Sequence, residues 1–120
     1  MGLNTAPERP VAVVGETNVH SVSFANILDG SELLTGTPDV VEVTTTDLTI
    51  TNLAGTANKG TVSTAALTIN NVSVPLGEAV QFKVTGYLAA TAEYTVKITA
   101  GTDATPAQTK IRYVTFKAEA

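Results

Sequence analysis

From Val40 to Thr51 the chain reads VVEVTTTDLTIT, and most of the sequence is built from the same few residue types. Thr occurs 21 times, Val 15 times and Ile 5 times in 120 residues. Branching at Cβ leaves these side chains few rotamers in a helix, whereas on a pleated strand they pack well against cross-strand neighbours. They recur in short alternating runs separated by Gly, Pro, Asn and Asp, the period-two signature of half-buried strands joined by turns. A chain written this way folds as strand and turn throughout.

At 12.4 kDa the sequence has the size of one domain. A chain of this length buries roughly two-thirds of its unfolded surface, enough for a core without staples. A hydrophobic fraction of 43% with 15% charged residues is globular in composition and leaves the surface sparsely charged. The net charge is −4, and the cations Arg9, Lys59, Lys83, Lys97, Lys110, Arg112 and Lys117 are scattered. Nucleic-acid binding needs clustered cations to displace counterions, so no nucleic-acid partner is expected. No apolar run approaches the roughly 20 residues of a bilayer-spanning helix, and no membrane partner is expected either. The opening MGLNTAPERP has neither the basic start nor the apolar run of a secretory signal. Ala6 stands where a myristoylation motif needs Ser or Thr. Maturation in the cytoplasm is the expectation, and with no Cys in the chain no disulfide contributes.

Residues 1–10, with Pro7 and Pro10, are expected to form an extended N-terminal arm, and residues 11–120 a single domain. Strands are expected over 11–14, 19–24, 40–43, 47–52, 66–69, 72–74, 79–85, 92–99 and 108–118. Alternation places His20, Val22 and Phe24 on one face, and turns Leu48, Ile50, Val80, Phe82, Val84, Tyr94, Val96 and Ile98 inward. Turns are expected at 15–18, 29–30, 36–38, 75–78 and 100–106, with a surface loop over 53–63 and a connection over 86–90. Asn70-Asn71 predicts a two-residue type I′ turn, because Asn tolerates positive φ at both central positions. That turn pairs Ile69 with Val72 and Leu67 with Val74, and both pairs fall on one face. In the last strand the apolar parity changes between Tyr113 and Val114, which implies a bulge or a strand buried on both faces. Short strands with turn signals every 8–12 residues point to an immunoglobulin-like Greek-key β-sandwich of about seven or eight strands. Tyr94 then sits either at a tyrosine corner or simply in the core.

Chemistry is thinly represented. His20 is the only imidazole, no Cys is present, and no G-x-S-x-G elbow exists. Because His20 shares a face with Val22 and Phe24, it reads as a partly buried structural residue. Asp29 and Glu32 around Gly30 lack the alternating oxygen ligands of a calcium loop. Asp39, Glu42 and Asp47 read as solvated charges guarding strand edges. Phe24, Phe82, Phe116, Tyr94 and Tyr113 fall within strands, and Tyr87 beside Gly86 is the one aromatic placed to meet a ligand or partner. No catalytic residue, cofactor or metal site is expected, and the chain does not read as an enzyme.

Taken whole, the segments ERPVAVVGETNVHSVSF (8–24), DGSELLTGTPDVVEVTTTDLTITN (29–52), LTINNVSVPLGEAVQFKVTG (67–86) and AEYTVKITAGTDATPAQTKIRYVTF (92–116) resemble small tailed-bacteriophage virion proteins of immunoglobulin-like fold. The likeness runs over roughly residues 8–118. It implies a non-enzymatic structural part of the particle, either a fibre–tail adaptor or a capsid decoration protein, assembled in the host cytoplasm. Its partners would be other virion proteins and copies of itself, in a homo-oligomer within the particle. The arm, the loop 53–63 and the connection 86–90 are then the expected contact surfaces, with Arg9, Pro10, Asn58, Lys59 and Tyr87 as contact candidates. The alternative is an adhesive or glycan-binding immunoglobulin-like module of a bacterial surface protein.

Overall fold

The structure, a computed structural model, describes residues 11–13, 17–28, 30–44, 48–86 and 93–119. Ten strands lie among them: β1 (Val11–Val13), β2 (Asn18–Ser23), β3 (Leu34–Glu42), β4 (Thr49–Thr51), β5 (Thr61–Val62), β6 (Leu67–Ile69), β7 (Val72–Val74), β8 (Ala79–Thr85), β9 (Glu93–Thr102) and β10 (Thr109–Glu119). A single 3-10 turn, Ala25–Ile27, follows β2. The first sheet has the order β1-β10-β9-β3, and the second β2-β8-β4 with β5 also paired to β8. All pairings are antiparallel except that of β1 with β10, which is parallel. The chain therefore crosses between sheets after β1, β2, β3 and β8.

The two sheets pack face to face. Val22, Phe24, Ile50, Val80, Phe82 and Val84 from the second sheet and its flanks meet Val40, Tyr94, Val96, Ile98, Ala100, Val114 and Phe116 from the first in one buried cluster. Each set lies at alternate positions, so the period-two pattern delivers the core directly. The hairpin β6–β7 forms as its sequence demands. Asn70 and Asn71 have φ of 51° and 63°, and Ile69 pairs with Val72 and Leu67 with Val74. The turn at 75–78 also closes, with Gly77 at φ 79° and the Glu78 N–H donating to the Pro75 carbonyl at 3.2 Å.

Three expectations need correction. Residues 36–38 do not turn the chain; they lie inside β3, where the register against β9 shifts between Thr35 and Asp39. Gly36, at φ 77°, and Pro38 form this bulge on an edge strand, where Pro sacrifices no ladder bond and positive φ bends the strand. Residues 100–102 continue β9 because Ala100 and Thr102 keep the buried parity of Ile98. The last strand carries no bulge: β10 pairs with β9 without a register shift from Thr109↔Gly101 to Lys117↔Glu93. Nor is it buried on both faces: Arg112, Val114 and Phe116 point into the core, whereas the apolar Ile111 and Tyr113 point outward, Ile111 exposed.

The stretch 53–63 is at the surface as expected, exposed over residues 53–58, but it is tied down as a structural strap that ends in β5. The buried Asn52 accepts at Oδ1 from the N–H groups of Ala54 (3.0 Å) and Thr56 (2.8 Å). The Asn58 N–H donates to the Ile50 carbonyl at 2.8 Å, and the Asn58 carbonyl accepts from Val40 at 3.1 Å. The Gly60 N–H donates to the Pro38 carbonyl at 2.8 Å, and Thr61–Val62 then pairs with Gln81 and Val80 of β8. Main-chain hydrogen bonds thus run without interruption from β3 in one sheet to β8 in the other. Asn52→Ala removes the acceptor that holds the strap's first turn and leaves two N–H groups to find other partners. Urea unfolding of that variant is expected to show a loss of about 2 kcal/mol, most of it recovered in Asn52→Asp, which keeps the acceptor.

Candidate functional site

The face of the first sheet turned away from the core is assembled by the same alternation that builds the core. On β9 it presents Glu93, Thr95, Lys97 and Thr99, on β10 Ile111, Tyr113 and Thr115, and on β3 Asp39 and Val41. Register sets these in rows: Val41, Lys97 and Tyr113 stand side by side, as do Asp39, Thr99 and Ile111. A third row joins Val43, whose N–H donates to the Thr95 carbonyl at 2.8 Å, with Thr95 and Thr115, whose hydroxyls are 3.3 Å apart. Val41, Val43 and Ile111 keep 43%, 50% and 36% of their surface exposed. The result is a surface of Val, Ile and Thr with Lys97 near its middle and Glu93 at one end.

Of the residues expected to make contacts, Asn58 and Lys59 lie on the strap at the margin of this face, and Arg9, Pro10 and Tyr87 lie outside the described residues. Asn58 has φ 57°, so its identity is explained by a left-handed backbone position. Lys59 forms an ion pair with Asp39 across an antiparallel bridge. Both side chains are exposed, so the pair contributes about 0–1 kcal/mol and mainly fixes the strap's edge. Asp39 is therefore a paired charge. Glu42 is a brace: its carboxylate accepts from the Thr44 hydroxyl and, at 3.3 Å, from the Leu48 N–H. Asp29 and Asp47 lie outside the described residues.

His20 is half-buried, with its ring centroid 4.5 Å from that of Phe116, edge-on, and 6.0 Å from that of Phe82. Burial lowers its pKa to about 4, so the ring is neutral at pH 7 and serves as a packing group. A cleft of about 300 Å³ at one end of the sandwich is lined by Ser31, Glu32, Asp103, Ala104 and Gln108. Asp103 is occupied there, accepting from the Leu33 N–H at 2.8 Å and donating its own N–H to the Leu33 carbonyl at 2.9 Å. Among the described residues no three His, Cys, Asp or Glu side chains converge on a metal position.

Sequence reasoning missed Arg112, treated as one scattered cation. It is 5% exposed and donates through Nη1 to the Ser23 carbonyl at 3.2 Å, tying β10 to the end of β2. Its parity with Val114 and Phe116 was the available signal. The outward Val41, Ile111 and Tyr113 were also missed as a surface. The parity change at 113/114 was their signature, since a strand apolar on both sides in a two-layer protein must show one apolar side to the outside. No family model and no curated protein matches this chain.

Proposed function

We propose that the chain is a non-enzymatic structural component of a bacteriophage virion, a tail–fibre adaptor or capsid decoration protein of immunoglobulin-like Greek-key fold. It acts through contacts with other virion proteins and with copies of itself. The observation that carries this reading is the outer face of the first sheet, on which exposed Val and Ile side chains gather among threonines. Exposed apolar residues gathered on one face mark a contact surface more often than scattered ones do. The strand order supports the immunoglobulin-like part: β1 lies parallel to the last strand in the sheet with β9 and β3, opposite β2, β8 and β4. The resemblance of residues 8–118 to small virion proteins supplies the particle.

Antibody against the protein, imaged by electron microscopy on an infected-cell lysate, is expected to label particles. Label at the tail or neck identifies an adaptor, and label over the head identifies a decoration protein. Bare particles with label confined to cell envelopes would overturn the virion reading in favour of a surface adhesin.

A further inference from the structure

We infer that the second sheet is one strand short, and that the gap beside β2 takes an extended, uncharged segment of a partner protein by main-chain pairing. This surface is separate from the outer face of the first sheet, and it exists whether or not the chain belongs to a virion.

Hydrogen-bond phase locates the gap. Ser23 stands opposite Ala79, and the next residue, Phe24, donates its N–H to the Glu78 carbonyl at 2.8 Å. In an antiparallel pair both main-chain groups of a residue point to the same side, and successive residues alternate. Val22, His20 and Asn18 therefore turn their N–H and C=O toward β8, whereas Val19 and Ser21 turn theirs away from it. Ser23 has the same outward phase, and its carbonyl accepts from Arg112. The far side of β8 agrees. The Ala79 carbonyl accepts from the Ser63 N–H at 2.9 Å, so Ala79, Gln81 and Lys83 serve that side and Val80, Phe82 and Val84 serve β2. Beyond β2 no further strand of the second sheet lies among the described residues.

The two layers are unequal here, and that chooses the occupant. The His20 ring packs edge-on against Phe116 and the Ser23 carbonyl meets Arg112, so β2 faces β10 across the core. The first sheet continues past β10 to β1, and the second stops at β2. A single strand added beside β2 lies under β1 and completes the layer. A second copy docked by its own β2 would bring its first sheet against that overhanging β1. The opposite edges are closed by the strap, where Asn58 donates to Ile50 of β4 and accepts from Val40 of β3. Open edges are commonly guarded by Lys, Pro or a bulge. β2 reads NVHSVS, with neither Lys nor Pro, and its register against β8 is unbroken.

The chemistry of the segment follows from the strand it joins. Val19 and Ser21 offer N–H donors and C=O acceptors to an extended backbone, the mode of recognition known as strand addition. Side chains of the added strand alternate. One set stands beside His20 and Val22 at the margin of the core and is apolar, because an unpaired charge there would be costly. The other set stands beside Ser21 and the exposed Val19. About four main-chain bonds correspond to a dissociation constant of about 1 mM for a free peptide. A contact this weak works where the partner already holds the segment nearby.

The test is a nuclear magnetic resonance titration of the whole chain with the capped peptide Lys-Val-Thr-Val-Thr-Val-Thr-Lys. At about 4 mM peptide the Val19 and Ser21 amides are expected to exchange with solvent about fivefold more slowly, while the Val22 amide, bonded to β8, changes little. With the Val side chains inward, the Thr amides of the peptide meet β2. N-methylation of those Thr residues is expected to abolish the effect, and N-methylation of the Val residues to leave it. Ser21→Pro removes an outward N–H at a position where an edge strand tolerates Pro, and is expected to weaken binding about tenfold or more. The N-methylated peptides decide the matter even where that variant fails to fold. Val19 and Ser21 amides already slow in the isolated chain would mean that its own residues fill the gap. Slowing that rises with protein concentration alone would assign the gap to a second copy. Either result overturns the proposal, as does a peptide without effect or one that acts equally when its Thr residues are N-methylated.

Discussion

Gly60→Ala is expected to destabilise the protein by about 3 kcal/mol, the upper end of what overpacking a buried site costs. A Cβ at this position would lie 2.6 Å from Cγ1 of Val80 and 2.8 Å from Cγ2 of Val40. Both neighbours are fully buried valines, one from each sheet, and a β-branched side chain has no long flexible end that can swing aside. The added methyl must therefore push the sheets apart or lift the strap off Pro38, whose carbonyl accepts the Gly60 N–H. Urea unfolding measures the loss, with the slope unchanged because the surface exposed on unfolding is the same. Pairing Gly60→Ala with Val40→Ala gives an internal check. Shortening Val40 makes room for the methyl, so the double variant is expected to lose less than the sum of the singles. Additive losses would mean that the clash is not the cause.

Acidification supplies the second large effect. The unfolded imidazole of His20 protonates near pH 6.5, whereas burial against Phe82 and Phe116 holds the folded one near 4. Between these values the unfolded chain binds the extra proton, so falling pH favours unfolding. The His20 contribution to stability is intact above about pH 6.5, declines as pH falls, and is lost by about 3 kcal/mol at pH 4. Carboxylates begin to titrate in the lower part of this window, so the decisive quantity is a difference between two proteins. His20→Phe keeps a ring against Phe82 and Phe116 and has no proton to gain. Between pH 7.5 and 4.5 the parent is expected to lose about 2 kcal/mol more than this variant. Parallel stability curves would show that the folded imidazole titrates normally.

Much of the fold was legible because its rules are local. Alternation fixed which side of β8 and β9 faces the core, and Asn70-Asn71 fixed the register of its hairpin before any long-range contact was considered. Elements defined by a distant partner were harder to read. Pro38 and Gly36 look like a turn in isolation, and only the neighbouring β9 makes them a bulge within a strand. The strap at 53–63 is rich in small residues, which reads as a loose loop. Gly60 is small because two sheets leave no space there, and a sequence does not print that constraint. The outer face of the first sheet was half legible. Its outward Ile111 and Tyr113 disturbed the parity of β10, but neither a bulge nor burial on both faces is the cause, and seeing that needed the unbroken register against β9 and the exposure of Ile111.

The parallel pairing of β1 with β10 has a mechanical consequence. Val11, Ala12 and Val13 lie alongside Lys117, Ala118 and Glu119, one near each end of the chain and pointing the same way. Tension applied between the two ends slides these strands past each other along their length. Their main-chain hydrogen bonds are then loaded together in shear, whereas a hairpin pulled from its open end unzips one bond at a time. Resistance to such a pull is set by the rate of unfolding and not by equilibrium stability. A short parallel clasp of this kind therefore gives the domain a stiffness along its end-to-end axis that its modest core would not supply.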